Sequence, residues 1–232
     1  MNRMPLVLLP GLLCDSELWR HQIDHLRDVA DPVVADLTKV ASMEAMAASV
    51  LAEAPPKFAL AGLSMGGYVA QAVLRLAPER VLRLALLDTN FRADTDAQRT
   101  RRGDMMALAE KGAFKGVTPR LLPSLIHENR LQDEALVTAV MAMAERVGKT
   151  AFLRQERAIL GRSDGGATLK AVACPTLVLC GKEDALTPHA LHEEMVSLIP
   201  GAHLVVIPDC GHLSTMERPE AVSAAMKQWL TA

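Results

Sequence analysis
The sequence predicts a three-layer α/β fold: a shortened, mostly parallel sheet of about six strands, helices on both faces, and a helical insertion. Five short runs bounded by turn residues, at 5–9, 58–61, 82–87, 176–180 and 204–207, are mostly apolar throughout instead of alternating. That is the pattern of parallel strands covered on both faces. Segments with helical periodicity, at 17–27, 43–53, 65–76, 188–198 and 219–230, fall between and after these runs, so strand and helix alternate. The alternation fails between about Phe91 and Cys174, where no strand pattern occurs and Gly112, Gly116, Pro119, Pro123 and Gly148 divide a helical text.

Taken in order, the first strand leads into a helix that Asp15 or Ser16 can cap, since a short side-chain oxygen accepts a free N–H of the first turn. A weaker run at 33–35 supplies a sixth strand. Thr187 followed by Pro188 sets an N-cap and a first helical position. The expected organisation is one core domain from 1–90 and 174–232, interrupted by a helical lid at 91–173.

Composition bounds the function. The chain has 232 residues, 50% of them hydrophobic and 22% charged, with a formal charge of -2, the profile of a packed domain. Disorder and nucleic-acid binding through bulk charge are both disfavoured. Only 3% of residues are aromatic, so stacking platforms for single strands are not expected, and any pocket is walled mainly by Leu, Val, Ala and the 12 Met. No stretch reaches 18 uninterrupted apolar residues, and no membrane association is expected. Residues 91–165 carry 13 basic and 10 acidic side chains, whereas the rest of the chain is net acidic. The insertion is thus the relatively cationic part: a solvated face by default, or a surface attracting an acidic substrate or carrier.

Cys14, Cys174, Cys180 and Cys210 show no metal-ligand spacing, and a chain of this size needs no disulfide framework, so a reducing, cytoplasmic home is expected. The opening MNRMPLVLLPGLLCD imitates a signal peptide, but Pro10 and Gly11 interrupt the apolar run and Leu13, not a small residue, precedes Cys14. His189 and His192, with Glu193, read as an exposed helix face, and no metal or cofactor is expected.

The chemistry is concentrated in FALAGLSMGGYVAQAVL, a strand running through Gly62, Leu63, Ser64, Met65 and Gly66 into a helix. A serine on so sharp a turn needs neighbours without Cβ atoms two residues on either side, and Gly62 and Gly66 meet that demand. The turn sets the hydroxyl at a helix N-terminus, where free N–H groups favour developing negative charge. A serine nucleophile needs a base and the base an orienting carboxylate. Asp184 follows the strand at 176–180 and His212 follows the strand at 204–207, in the order Ser64, Asp184, His212. Glu183, Asp209 and Asp88 are rival acids. An oxyanion hole takes one N–H from Met65 and a second from the loop after the first strand, where Gly11 allows a turn that exposes Leu12, with Leu13 the alternative. Met105, Met106, Met141 and Met143 are candidates to line a pocket, and Arg154, Arg157 and Arg162 to meet a substrate carboxylate.

On GLSMGG, GKEDALTP and CGHLSTMERPEAV the chain resembles the α/β-hydrolase superfamily, in particular its small lid-bearing serine hydrolases: carboxylesterases, cofactor-free haloperoxidases, thioesterases and carbon-carbon hydrolases. The resemblance implies Ser64, Asp184 and His212 as the catalytic residues and Leu12 and Met65 as oxyanion donors. It implies hydrolysis of a small ester or thioester through an acyl-enzyme, with carbon-carbon cleavage, a lyase reaction, or a receptor with little turnover as alternatives. Pro10-Gly11 stands where many relatives have His-Gly, and only four residues precede the first strand. A shortened sheet with Val33 in an edge strand is therefore expected.

Overall fold
A computed structural model describes residues 3–232. Six strands, β1 (Met4–Leu9), β2 (Ala30–Val34), β3 (Phe58–Leu63), β4 (Val81–Leu87), β5 (Thr176–Gly181) and β6 (His203–Ile207), form one sheet. Its order is β2-β1-β3-β4-β5-β6, and every adjacent pair is parallel. The strand containing Val33 is at an edge, as expected.

The apolar runs do not alternate because both faces are covered. On one face Val7, Leu9, Phe58, Leu60, Leu84, Leu86 and Val178 pack under helices α2 (Met43–Glu53), α3 (Met65–Leu76) and α7 (His189–Leu198). On the other, Leu6, Leu8, Ala59, Ala61, Ala85, Leu87, Leu177 and Leu179 pack against Trp19, helix α9 (Pro219–Thr231) and part of the insertion. Each fully buried leucine contributes about 1.5–3 kcal/mol by leaving water.

Two helix starts differ from expectation. The segment at 17–27 is a 3-10 turn, Ser16–Trp19, followed by helix α1 (Arg20–His25), with the buried Trp19 between them. Asp15 caps the turn by accepting the N–H of Glu17. Helix α7 begins at His189 with Pro188 as its cap, because the Thr187 hydroxyl is drawn to Asp184 instead. His192 is not on an exposed face: it is fully buried, and its Nε2 accepts the N–H of Thr89 at 3.1 Å, tying α7 to the end of β4. Burial lowers its pKa to about 4, which keeps the ring neutral and able to accept. Cys174 precedes β5, and all four cysteines are free.

Between β4 and β5 the described chain has no strand. Helices α4 (Asp96–Leu108), α5 (Glu134–Leu160) and α6 (Gly166–Lys170) alternate with shorter turns. Gly148 kinks α5 at φ 75 and ψ 174 rather than ending it. A buried ion cluster fastens this insertion: Asp94 accepts from Arg102 Nε and Arg162 Nη2, each at 2.7 Å, and Glu156 accepts from Arg102 Nη1 at 2.8 Å. The remaining helix, α8 (Ser214–Glu217), follows β6. Among the described residues no helix is long and apolar enough to cross a membrane.

Removing one partner from a buried ion cluster strands the other charge, which costs about 3–5 kcal/mol. Asp94→Ala is therefore expected to lower the unfolding free energy measured by urea titration by that amount. A loss under about 1 kcal/mol, the value of an exposed pair, would contradict the burial argument.

Candidate active site
The site begins with a backbone problem. Ser64 lies between β3 and α3 at φ 53 and ψ -116, a conformation that costs an L-residue about 1–3 kcal/mol and persists only when its surroundings enforce it. A Cβ on Gly62 would lie 2.4 Å from the carbonyl oxygen of Gly66, and one on Gly66 would lie 2.1 Å from that of Leu9. Strand and helix thus cross too closely for any side chain at either position. Two bonds clamp the serine: its N–H donates to Leu87 O at 3.0 Å, and its carbonyl accepts the Thr89 hydroxyl at 2.8 Å.

His212 and Asp184 are carried in by the loops after β6 and β5. His212 Nε2 lies 2.9 Å from Ser64 Oγ, and its Nδ1 lies 2.8 Å from Asp184 Oδ2. Asp184 Oδ1 also accepts the N–H groups of Leu186 and Thr187, and Oδ2 accepts the Thr187 hydroxyl at 2.6 Å. Both His212 and Asp184 are buried. Burial works against the imidazolium, but the Asp184 charge and hydrogen bond win and hold His212 above its ordinary value of 6.5. Burial likewise raises Asp184, yet the His212 charge and the donors around it keep its carboxyl below the usual range.

None of the rival acids touches His212. Glu183 accepts the N–H of Cys210, and Asp209 is exposed. Asp88 is fully buried and braces the loops from below, accepting the N–H of Gly181 on one oxygen and the N–H and hydroxyl of Ser214 on the other. Burial first, then the nearby Asp184 charge, push its carboxyl up to about 8. Glu217 holds the histidine loop itself by accepting the N–H groups of Gly211, Leu213 and His127.

The N–H groups of Leu12 and Met65 donate to no other described residue, and Leu12 lines the same cavity as Ser64. The Leu13 N–H is taken by Gln155 Oε1 at 3.0 Å, so the alternative donor is occupied. The turn of this loop does not depend on Gly11, whose φ is not positive; Leu13 adopts the left-handed conformation, at φ 59. A cavity of about 610 Å³ opens on Ser64 and His212 and is walled by Leu12, Leu63, Phe114, Val140 and other apolar residues. Met105 and Met143 line it; Met141 instead packs in the core and Met106 does not reach it. Arg162 borders the cavity already paired with Asp94, while Arg154 donates to Thr38 O and Arg157 pairs with Glu110.

A strained serine on a strand-to-helix turn, in line with a buried histidine and carboxylate above a parallel sheet, defines a class of enzyme. The chain belongs to the alpha/beta hydrolase family, whose model matches residues 6–225. It is 30% identical to BpoC of Mycobacterium tuberculosis, by name a candidate non-heme bromoperoxidase, over 74% of this chain and 67% of that one. It is 27% identical to the pimeloyl-[acyl-carrier protein] methyl ester esterase of Nitrosomonas europaea over 94% of this chain and 92% of the relative. A thermophilic esterase from Thermogutta terrifontis superposes with a TM-score of 0.92 at 32% identity, covering 99% of this chain and 90% of the other.

A base that must be neutral to accept a proton is lost below its pKa, so the raised value of His212 places the acid limb of kcat/KM above pH 6.5. Asp184→Asn removes the charge that raises it. The limb is then expected to move to lower pH while kcat falls by about 10⁴. A wild-type limb at or below 6.5, or one that Asp184→Asn leaves in place, would contradict the assignment.

Proposed function
We propose that the protein is a serine hydrolase that cleaves a carboxylic ester or thioester of a small, largely aliphatic substrate through a triad of Ser64, His212 and Asp184. The observation that carries this reading is the unbroken line from Ser64 Oγ through His212 to Asp184, with spacings of 2.9 and 2.8 Å. His212 takes the Ser64 proton as the oxygen attacks the acyl carbon, and Asp184 stabilises the resulting imidazolium. The N–H groups of Leu12 and Met65 receive the oxyanion. His212 then protonates the leaving group, and water, deprotonated by the same imidazole, releases the acid from the acyl-enzyme. The apolar cavity walls support an aliphatic acyl group. No cofactor or metal enters any step.

In this reading residues 91–173 act as a lid over a core of 1–90 and 174–232. Arg101, Lys115 and Arg120 of the lid border the cavity, which supports attraction of an acidic substrate or an acyl-carrier protein like the one named for the Nitrosomonas relative. Four free cysteines fit a cytoplasmic setting.

The test is steady-state release of p-nitrophenol from a short-to-medium acyl ester series. Wild type is expected to turn over many times and to favour the chain that fills the cavity, and Ser64→Ala to lose about 10⁶ in kcat. A loss under tenfold would refute the assignment, and a single stoichiometric burst would favour a receptor.

A further inference from the structure
We infer that Gln155, on helix α5 of the insertion, is a positioning residue for the oxyanion-binding loop, so that the insertion governs the rate of chemistry as well as access to the cavity. The inference rests on the serine hydrolase reading above.

Gln155 is fully buried, and its amide faces two loops far away in sequence. Its Oε1 accepts the N–H of Leu13, 142 residues distant, at 3.0 Å, and its Nε2 donates to the carbonyl of Leu37 at 3.3 Å. Leu13 and Leu12 are the central residues of a turn closed by Cys14 N–H donating to Gly11 O at 3.2 Å. Leu13 sits at φ 59, which costs a residue with a Cβ about 1–2 kcal/mol. Nothing in its own side chain favours that conformation. The bond to Gln155 holds the N–H of the Leu12–Leu13 peptide, while Cys14 Sγ donates to its carbonyl at 3.4 Å, so the turn that carries Leu12 is fixed at its strained residue. Without the bond, Leu13 can leave its left-handed conformation, and the Gly11–Cys14 turn that carries the Leu12 N–H loosens with it.

Gln155 is itself held firmly. Its neighbours Arg154 and Glu156 bond to Thr38 O and to Arg102. A glutamine suits the position because one group must accept from Leu13 and donate to Leu37. Methionine has a similar shape and does neither, whereas glutamate keeps an acceptor for Leu13 but meets the Leu37 carbonyl with a second oxygen.

A substrate bonded equally in ground and transition states reports through KM, whereas an oxyanion donor acts where charge develops and reports through kcat. The experiment compares wild type, Gln155→Met, Gln155→Glu and Ser64→Ala, each normalised to folded protein. It measures kcat, KM, and the affinities of a trifluoromethyl ketone, which Ser64 converts to an oxyanion adduct, and of the methyl ketone of the same chain, which stays neutral. Gln155→Met is expected to lower kcat by about 10–10², below the loss of a whole donor, and to weaken the trifluoromethyl ketone in parallel. KM and methyl ketone affinity are expected to stay within about twofold, and Gln155→Glu to recover part of kcat.

A kcat within twofold of wild type for Gln155→Met overturns the inference, as does a loss of both ketone affinities together. If Gln155→Met does not fold, Gln155→Glu decides alone: kcat lowered with methyl ketone affinity held supports the inference, and wild-type kcat overturns it. Ser64→Ala separates the two claims. If it is inactive while the Gln155 variants are normal, only this inference fails; if it turns over like wild type, the serine hydrolase reading fails and takes the inference with it.

Discussion
The contact between the backbone of Gly66 and the carbonyl of Leu9 is the constraint on which the rest of the site depends. A Cβ there would lie 2.1 Å from that oxygen, so α3 can start against the end of β1 only if its second residue has no side chain. This approach tightens the turn that lifts Ser64 out of β3. It also brings the loop after β1 beside the serine: a Cβ on Gly11 would lie 3.5 Å from that of Ser64. The sheet supplies the platform: β3 and β1 are adjacent and parallel, so their carboxyl ends reach the same rim. The loops after β5 and β6 open on that rim too, because all neighbours in the sheet run the same way.

Electrostatics at the rim is a balance of buried charges. His212 and Asp184 are both buried within hydrogen-bond distance, so each favours the charged form of the other: Asp184 stays a carboxylate and an imidazolium formed on His212 is stabilised. Two N–H groups occupy Oδ1 of Asp184, and the Thr187 hydroxyl shares Oδ2 with the imidazole, which fixes the carboxylate against it. Beneath them, Asp88 and Glu217 take up backbone N–H groups of the loops carrying Asp184 and His212. The loops are thus fixed by carboxyl groups that do not touch Ser64.

Much of this was legible in the sequence because it follows from local rules. Strands covered on both faces read as apolar runs, and the run at 58–61 leading into Gly62 and Gly66 announces its turn through two missing side chains. Helix α2 falls at 43–53 as its periodicity indicates. The order Ser64, Asp184, His212 follows from one loop after each strand. What local rules do not record depends on contacts between distant segments. The burial of His192 is set by Thr89, 103 residues away, and the helical period of α7 does not record which turn faces β4. Thr187 looked like a cap because Thr before Pro is one by local rules, and only the proximity of Asp184 reassigns its hydroxyl. Gln155 carries no local signal at all, since its partners lie on the loops after β1 and β2. The left-handed residue of the first of these loops is Leu13, where glycine 11 was the natural expectation.

The central claim is that the strained turn makes Ser64 a covalent nucleophile. The most direct measurement is mass spectrometry of wild-type protein quenched in acid while turning over a p-nitrophenyl ester, followed by peptide mapping. The account predicts one added acyl group, carried by the peptide containing Ser64. An acyl group on another residue, or turnover in which no acylated protein forms even when deacylation is slowed, would contradict it.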